Sequence, residues 1–221
     1  MAAGTSRRSI SFAACWPSGG PHFGDGVVAL DCGAHVGIHT IEWAKLMTGW
    51  GKVIAFVAQE RLFYALAGNI VINNCLNARA IHAVLGAQGG NQRVPVPDDL
   101  SPGSFGSLEM RQSATTEFIG QAIDYAEASM VEVPAATIDS LKLARVDLIK
   151  IDVEGMEADV LTGARDTLTA FRPIVVAEHL KVGWDALADL ISPFGYRLFR
   201  ATENLIAVHP DEPTIGAIRQ G

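Results

Sequence analysis

The stretch Val27-Val28-Ala29-Leu30-Asp31-Cys32-Gly33-Ala34-His35-Val36-Gly37-Ile38-His39-Thr40 decides the fold. It opens on a short apolar run with two adjacent valines, the composition of a buried strand. An acid closes the strand, Gly33 and Gly37 turn the chain, and a helical pattern starts at Ile38. A strand that runs through glycines into a helix brings backbone N–H groups close to a ligand.

Outward from that loop, strands and helices alternate. Ile38, Ile41 and Ala44 recur at helical spacing up to Met47, and Gly49 and Gly51 end that helix. Lys52–Val57 reads as a second strand and Glu60–Asn73 as a second helix, with Leu62, Phe63, Leu66 and Ile70 on one face. Ala80–Leu85 reads as a third strand. Residues 86–134 break the rhythm. They are rich in Gly, Pro, Ser and Gln, with strand-like pieces at Phe118-Ile119 and Met130–Val133. This segment is expected to be an insertion with a hairpin, lying over one sheet edge as a binding lid. The alternation resumes with a strand at Val146–Asp152, a helical stripe from Met156 to Leu168, a strand at Pro173–Glu178 and a helix at Trp184–Ile191. Tyr196–Phe199 and Asn204–Val208 read as a closing hairpin around Thr202-Glu203, adding an antiparallel strand at one edge. The expected fold class is α/β: a three-layer sandwich around a mostly parallel, seven-stranded sheet covered on both faces. Ligands in such sheets bind at the carboxyl ends of the strands, here Asp31, Val57, Asp152 and Glu178.

Composition sets limits. The 221 residues suffice for one domain, and 49% hydrophobic against 19% charged residues excludes a disordered chain. A net charge of −7 argues against a nucleic-acid partner. No apolar run approaches the ~18 residues of a membrane span. Three cysteines, Cys15, Cys32 and Cys75, lack metal spacing and fit a reducing cytoplasm. Arg7 and Arg8 precede an apolar patch, but Ser11 and Pro17 break it, so residues 1–26 read as a loose arm and not as a signal peptide. The domain spans 27–210, and 211–221 is a tail.

The loop discriminates between cofactors. A dinucleotide fingerprint needs Gly-x-Gly-x-x-Gly, and aligned on Gly37 this chain offers Cys32, Ala34 and Gly37. Acid-x-Gly-x-Gly-x-Gly, the pattern of methyltransferases, reads Asp31-x-Gly33-x-His35-x-Gly37, with only the middle glycine replaced. Asp31 could neutralise the cationic amino group of S-adenosylmethionine. The same glycines also suit a turn that only packs a helix on a strand, so the loop alone does not decide.

A second signature does more. The run Asp147-Leu148-Ile149-Lys150-Ile151-Asp152-Val153-Glu154-Gly155-Met156-Glu157-Ala158-Asp159-Val160-Leu161-Thr162-Gly163-Ala164 resembles the FkbM family of S-adenosylmethionine-dependent methyltransferases, as does Asp31–Thr40. The likeness spans about 27–210 and is weakest across the insertion. It implies a class I methyltransferase fold and O-methylation of a hydroxyl on a small molecule, a sugar or a glycan. The cofactor site then comprises Asp31, Gly33, Ala34, His35, Gly37, Thr40, Val57, Gln59 and Asp152. One departure stands out: where the family has a ribose-holding glutamate after the second strand, this chain has Val57, with Gln59 or Glu60 as substitutes.

Catalytic candidates lie at the same rim. Asp152 would face the cofactor's methionine end or the acceptor, and Glu154, Glu178 and His179 would surround the acceptor, with His179 as base. Glu154 also suits a plain helix start, and His179 an ordinary loop position. The carboxylate and histidine spacings match no metal motif, and His35/His39 lack the intervening Glu of a zinc helix. Trp43 and Trp50 read as packing or surface aromatics, and Ser104–Ser107 as a segment that could shape an acceptor pocket. Two competing readings remain: a dehydrogenase, against which the failed fingerprint and Val57 argue, and a non-catalytic protein that retains the fold.

Overall fold

The computed structural model describes residues 24–212. The expected arm and tail, with Cys15 and the apolar patch before Pro17, fall outside these residues except at their inner ends. The main sheet contains β1 (Val27–Cys32), β2 (Gly51–Val57), β3 (Ala78–His82), β7 (Leu148–Ile151), β8 (Ile174–Glu178), β9 (Arg197–Ala201) and β10 (Asn204–Val208). Its order is β3-β2-β1-β7-β8-β10-β9. Every pairing from β3 to β8 is parallel, and β10 is antiparallel to both neighbours. This is the strand arrangement that the resemblance implies.

Among the described residues, five helices cover the sheet: α1 (Ile38–Leu46), α2 (Glu60–Ile72), α3 (Glu157–Thr162), α4 (Arg165–Phe171) and α5 (Trp184–Ile191). Strand side chains alternate between faces, and β1 shows how that builds two cores. Val28, Leu30 and Cys32 join Val160, Leu161, Leu168 and Leu187 of α3 to α5. Val27 and Ala29 join Trp43, Ala44 and Leu66 of α1 and α2. Both faces being covered, β1 is buried throughout and reads as an unbroken apolar run up to Asp31.

Three expectations need correction. The closing hairpin does not put its antiparallel strand at the edge: β10 inserts between β8 and β9. Leu205, Ala207 and Val208 are fully buried there, whereas β9 exposes Arg197 and Arg200, charges that suit an edge. The third strand divides at Ala83. β3 pairs with β2, whereas β4 (Val84–Leu85) leaves to pair with β6 (Met130–Ala136). The helical stripe after Met156 is two helices. Gly163 passes so close to Gly86 that a Cβ there would meet its carbonyl oxygen at 2.2 Å. Asp139 caps the new start, accepting from the N–H groups of Asp166 and Thr167 at 3.0 and 2.8 Å.

The insertion is a packed unit. β4, β6 and β5 (Gly90–Pro95) form a second sheet, with β5 and β6 antiparallel. Val84, Val94, Leu108, Met110, Ile119, Val133 and Met156 make its core. Ile119 is buried without being a strand, and Phe118 is exposed.

The order of the main sheet reverses at β1. The chain runs outward to β2 and β3, then returns to β7 on the other side. A crevice therefore opens at the carboxyl ends of β1 and β7.

Candidate active site

The loop after β1 is held from three sides. The N–H groups of Gly33 and Ala34 both donate to the Phe56 carbonyl, at 3.1 and 2.9 Å. Asn69 of α2 donates to the Val36 carbonyl at 2.8 Å. Gly37 has φ +93° and lies against α2, where a Cβ would meet Leu66 at 2.6 Å. His35, at the position of the missing middle glycine, keeps the left-handed backbone with φ 50°. Histidine is among the residues that tolerate this region best, so the loop retains its shape without the glycine.

Asp31 sits beneath the loop and not on the cavity wall. It is fully buried, and its Oδ2 accepts from Thr40 Oγ1 at 2.6 Å. Its Oδ1 has no hydrogen bond among the described residues and lies 3.8 Å from Lys150 Nζ. Asp31 and Lys150 are paired in the β1–β7 register. Lys150 Nζ in turn donates to Asp152 Oδ2 at 3.1 Å. Burial works against the charged amine, but Asp31 and Asp152 outweigh it and hold its pKa above the ordinary lysine value. A line of four groups thus runs from Thr40 through Asp31 and Lys150 to Asp152, whose carboxylate is the half-exposed end.

The loop after β7 lies against the first. Asp152 N–H donates to the Cys32 carbonyl at 3.0 Å. Glu157 Oε1 accepts from the N–H groups of Val153 and Gly155, both at 3.1 Å, clamping the turn that carries Glu154. Glu154 has φ 55°, and its Oε2 pairs with Lys181 Nζ at 2.7 Å. Burial raises the pKa of Glu154 despite that lysine.

A cavity opens between the two loops and the insertion. Gly33, His35, Val57, Gln59, Asp152 and Glu154 line it, with Phe56, Leu62 and Leu85 among the apolar residues. It encloses about 540 Å³ of space including its open mouth. Burial lowers the pKa of His35, with Lys150 adding to the effect, which favours a neutral imidazole. The insertion forms the roof. Gln59 Nε2 donates to the Phe105 carbonyl at 2.6 Å, and Gly106 packs on the His35 ring. Lys181 ties this roof to the rim, reaching Glu109 Oε1 at 3.1 Å as well as Glu154.

The sequence candidates divide accordingly. Gly33, His35, Val57, Gln59, Asp152 and Glu154 share one wall, and Gly106 from the Ser104–Ser107 segment joins them. Ala34, Gly37, Thr40 and Asp31 support that wall from behind. Glu60 turns away, accepting from Tyr64 Oη at 2.7 Å. Glu178 ends β8 close enough to the other acids that burial, with Asp152, Glu154, Glu157 and Glu203, pushes its pKa up to about 8. His179 is not brought to the cavity. Its Nε2 lies 3.4 Å from Arg200 Nη1 and its ring meets Trp184 edge-on at 5.7 Å.

Trp43 is buried and stacks on His39, a packing role. Cys32 and Cys75 are buried free thiols. Among the described residues no group of three or more His, Cys, Asp or Glu side chains could hold a metal ion. No helix among them is long and apolar enough to cross a membrane.

Sequence reasoning passed over Lys150, Glu157 and Lys181. A lysine inside the apolar run Leu148–Ile151 was a legible signal, since lysine is almost never buried unpaired. Glu157, two residues past Gly155, had the spacing to cap its own turn. Lys181 carries no such mark, because its partners come from distant segments.

The family described as Methyltransferase FkbM domain matches residues 31–198. No curated protein gives a significant match. Among solved structures, methyltransferase FkbM from Methylobacillus flagellatus KT is 16% identical with a TM-score of 0.54, over 82% of this chain and 43% of that one. The chain therefore spans less than half of that relative's length. A precorrin-6y C5,15-methyltransferase from Geobacter metallireducens GS-15 gives 15% identity and a TM-score of 0.46, over 83% of this chain and 79% of that one. A SAM-dependent methyltransferase from Aquifex aeolicus gives 10% and 0.40, over 83% and 80%.

Proposed function

The chain belongs to the FkbM methyltransferase family, and from that premise we propose that it transfers the methyl group of S-adenosylmethionine to a hydroxyl oxygen of a small molecule or sugar. The observation that carries this reading is the meeting of the β1 and β7 loops at the reversal of strand order. There the Gly33 backbone and the Asp152 carboxylate line one cavity.

The residues present fit the cofactor. Phe56, Leu62 and Leu85 offer apolar surface for a flat base, and Asp152 offers a carboxylate to an ammonium group. Asp31 acts at one remove, through Lys150 and the loop it anchors. Gln59 supplies an amide at the wall, and Val57 supplies no acceptor for ribose hydroxyls. When bound, the cofactor contributes an electrophilic methyl group on a sulfonium. The chain's own task is to position the acceptor oxygen in line with it and to take up a proton. The neutral imidazole of His35 and the carboxylate of Asp152 flank the same wall and are the groups assigned to that proton. Glu154, held by Lys181, shapes the acceptor side. The setting is taken to be a cytoplasmic one, with no nucleic acid or membrane as partner.

Thermal shift and calorimetry with S-adenosylhomocysteine, S-adenosylmethionine and NAD test the reading. Stabilisation follows RT ln(1 + [L]/Kd), so a weak ligand in excess still registers. The two adenosyl compounds should stabilise the protein and NAD should not. Stabilisation by NAD alone turns the reading to a dehydrogenase, and no stabilisation by any of them to a non-catalytic protein.

A further inference from the structure

A second, wider groove adjoins the cavity. It lies along the second sheet, lined by residues of β5, by Met130 and Ala135 of β6 and by the segments around them, and encloses about 1350 Å³ including its mouth. Met110 and Met156 line both spaces, so two thioether side chains stand where the groove and the cavity meet.

The lining is polar yet balanced in charge. Arg111 Nη1 lies 2.7 Å from Asp159 Oδ2. Arg93 stands 3.7 Å from Glu127 and 3.9 Å from Glu132. Each guanidinium thus has its own carboxylate, which leaves no bare cation for a phosphate and no bare acid for an amine. The unengaged groups are amides. Gln88 and Gln112 are exposed and make no side-chain hydrogen bond among the described residues. Gln92 spends its Nε2 on the Met156 sulfur at 3.5 Å and keeps its Oε1. An amide both donates and accepts, and so matches a hydroxyl, which does the same. Met110, Met130 and Met156 add polarisable apolar surface that adapts to an irregular C–H face.

We infer that this groove is the acceptor subsite, and that it takes an uncharged polyhydroxylated compound whose reacting hydroxyl reaches the cavity past Met110 and Met156. The inference rests on the methyl-transfer reading and adds to it where the acceptor sits and what chemistry it carries. The amides hold its hydroxyl edge and the methionines its apolar face.

The test is saturation-transfer NMR with a panel of neutral methyl glycosides, each at roughly 10 mM, above the ~1 mM Kd of a weak specific contact. The protein is used with S-adenosylhomocysteine present, and that ligand's own affinity is measured by calorimetry. At least one glycoside should receive saturation from the wild type. The double variant Gln88→Leu/Gln112→Leu should weaken it at least about tenfold, with S-adenosylhomocysteine affinity unchanged, because neither amide touches the cavity. Saturation of no glycoside, or equal saturation in the variant, overturns the groove assignment while leaving methyl transfer standing. A sugar phosphate preferred about tenfold over its neutral parent overturns the uncharged class. Failure of S-adenosylhomocysteine to bind the wild type overturns the reading beneath it.

Discussion

Gly33 and Asp152 meet backbone to backbone: a Cβ built on Gly33 would lie 1.7 Å from the Asp152 carbonyl oxygen. Gly33 also has φ +85°, a backbone that L side chains rarely adopt. Gly33→Ala therefore combines a left-handed penalty of about 1–2 kcal/mol with an overpacking cost of about 1–3 kcal/mol. Urea unfolding should show a loss of about 2–5 kcal/mol, and S-adenosylhomocysteine binding should fail in calorimetry. A variant of wild-type stability would mean that the two loops are not packed in this way.

Lys150 holds two acids together, and Asp31 is fully buried. Lys150→Met keeps the length but removes the positive charge beside Asp31, leaving it the hydrogen bond from the Thr40 hydroxyl. Breaking a buried pair from one side costs about 3–5 kcal/mol. The double variant Lys150→Met/Asp31→Asn should recover a large part of that loss in the same unfolding experiment. Additive losses in the double variant would count against the coupling.

Val57→Glu should strengthen cofactor binding. A carboxylate at this wall could accept from two ribose hydroxyls, worth about 1.5–3 kcal/mol, or roughly tenfold to 150-fold in affinity. Val57 is only 5% exposed, so some stability is lost to the buried charge. Calorimetry with S-adenosylhomocysteine on both proteins decides, and equal affinities at micromolar or tighter would show that Gln59 already does the work.

Glu178 gives a pH signature. Its pKa in the folded protein is pushed up to about 8, against 4.5 ordinarily, by burial and by the neighbouring acids. Between those values the folded state holds a proton that the unfolded state has released. Stability therefore falls as pH rises through this window and levels off above it. Glu178→Gln removes the effect. The difference in Tm between variant and wild type should shift in the variant's favour from pH 5 to pH 9, about the limits of the window. A difference that does not change with pH speaks against a raised pKa.

Lys181 fastens the roof. Its amine reaches Glu154, Glu109 and, at 3.8 Å, Glu117. Lys181→Met should loosen the segment 107–117, seen as faster amide hydrogen exchange there with β1 and β2 unchanged. Unchanged protection of that segment would show that its apolar core holds it without the lysine.

Much of this was written locally in the chain. The β1 run, the glycines after it and the helical stripe of α2 each report the environment of their own segment. That is enough for the sandwich and for the two loops at its rim. What failed were decisions made between segments. Met156 to Leu168 carries one helical stripe, yet the Asp139 carboxylate and the Gly86 backbone divide it, and neither is near in sequence. Val84 and Leu85 look like the end of β3, yet β6 recruits them. The place of His179, beside Arg200 and Trp184, was likewise set by distant segments.

The amino-acid sequence by itself determined the alternating sheet, the family and the loop that turns on Gly33, because periodicity, glycine and a short motif are local properties. Tertiary structure alone decided which acids face the cavity. Asp31 and Asp152 end parallel strands with similar credentials, but the register sets Lys150 beside Asp31, and burial hides one carboxylate while exposing the other. It also brought the insertion down as a roof, through contacts from Gln59 and Lys181 that join residues 46 and 72 positions apart. Such contacts leave no period in the chain, so no reading of the sequence alone could have placed them.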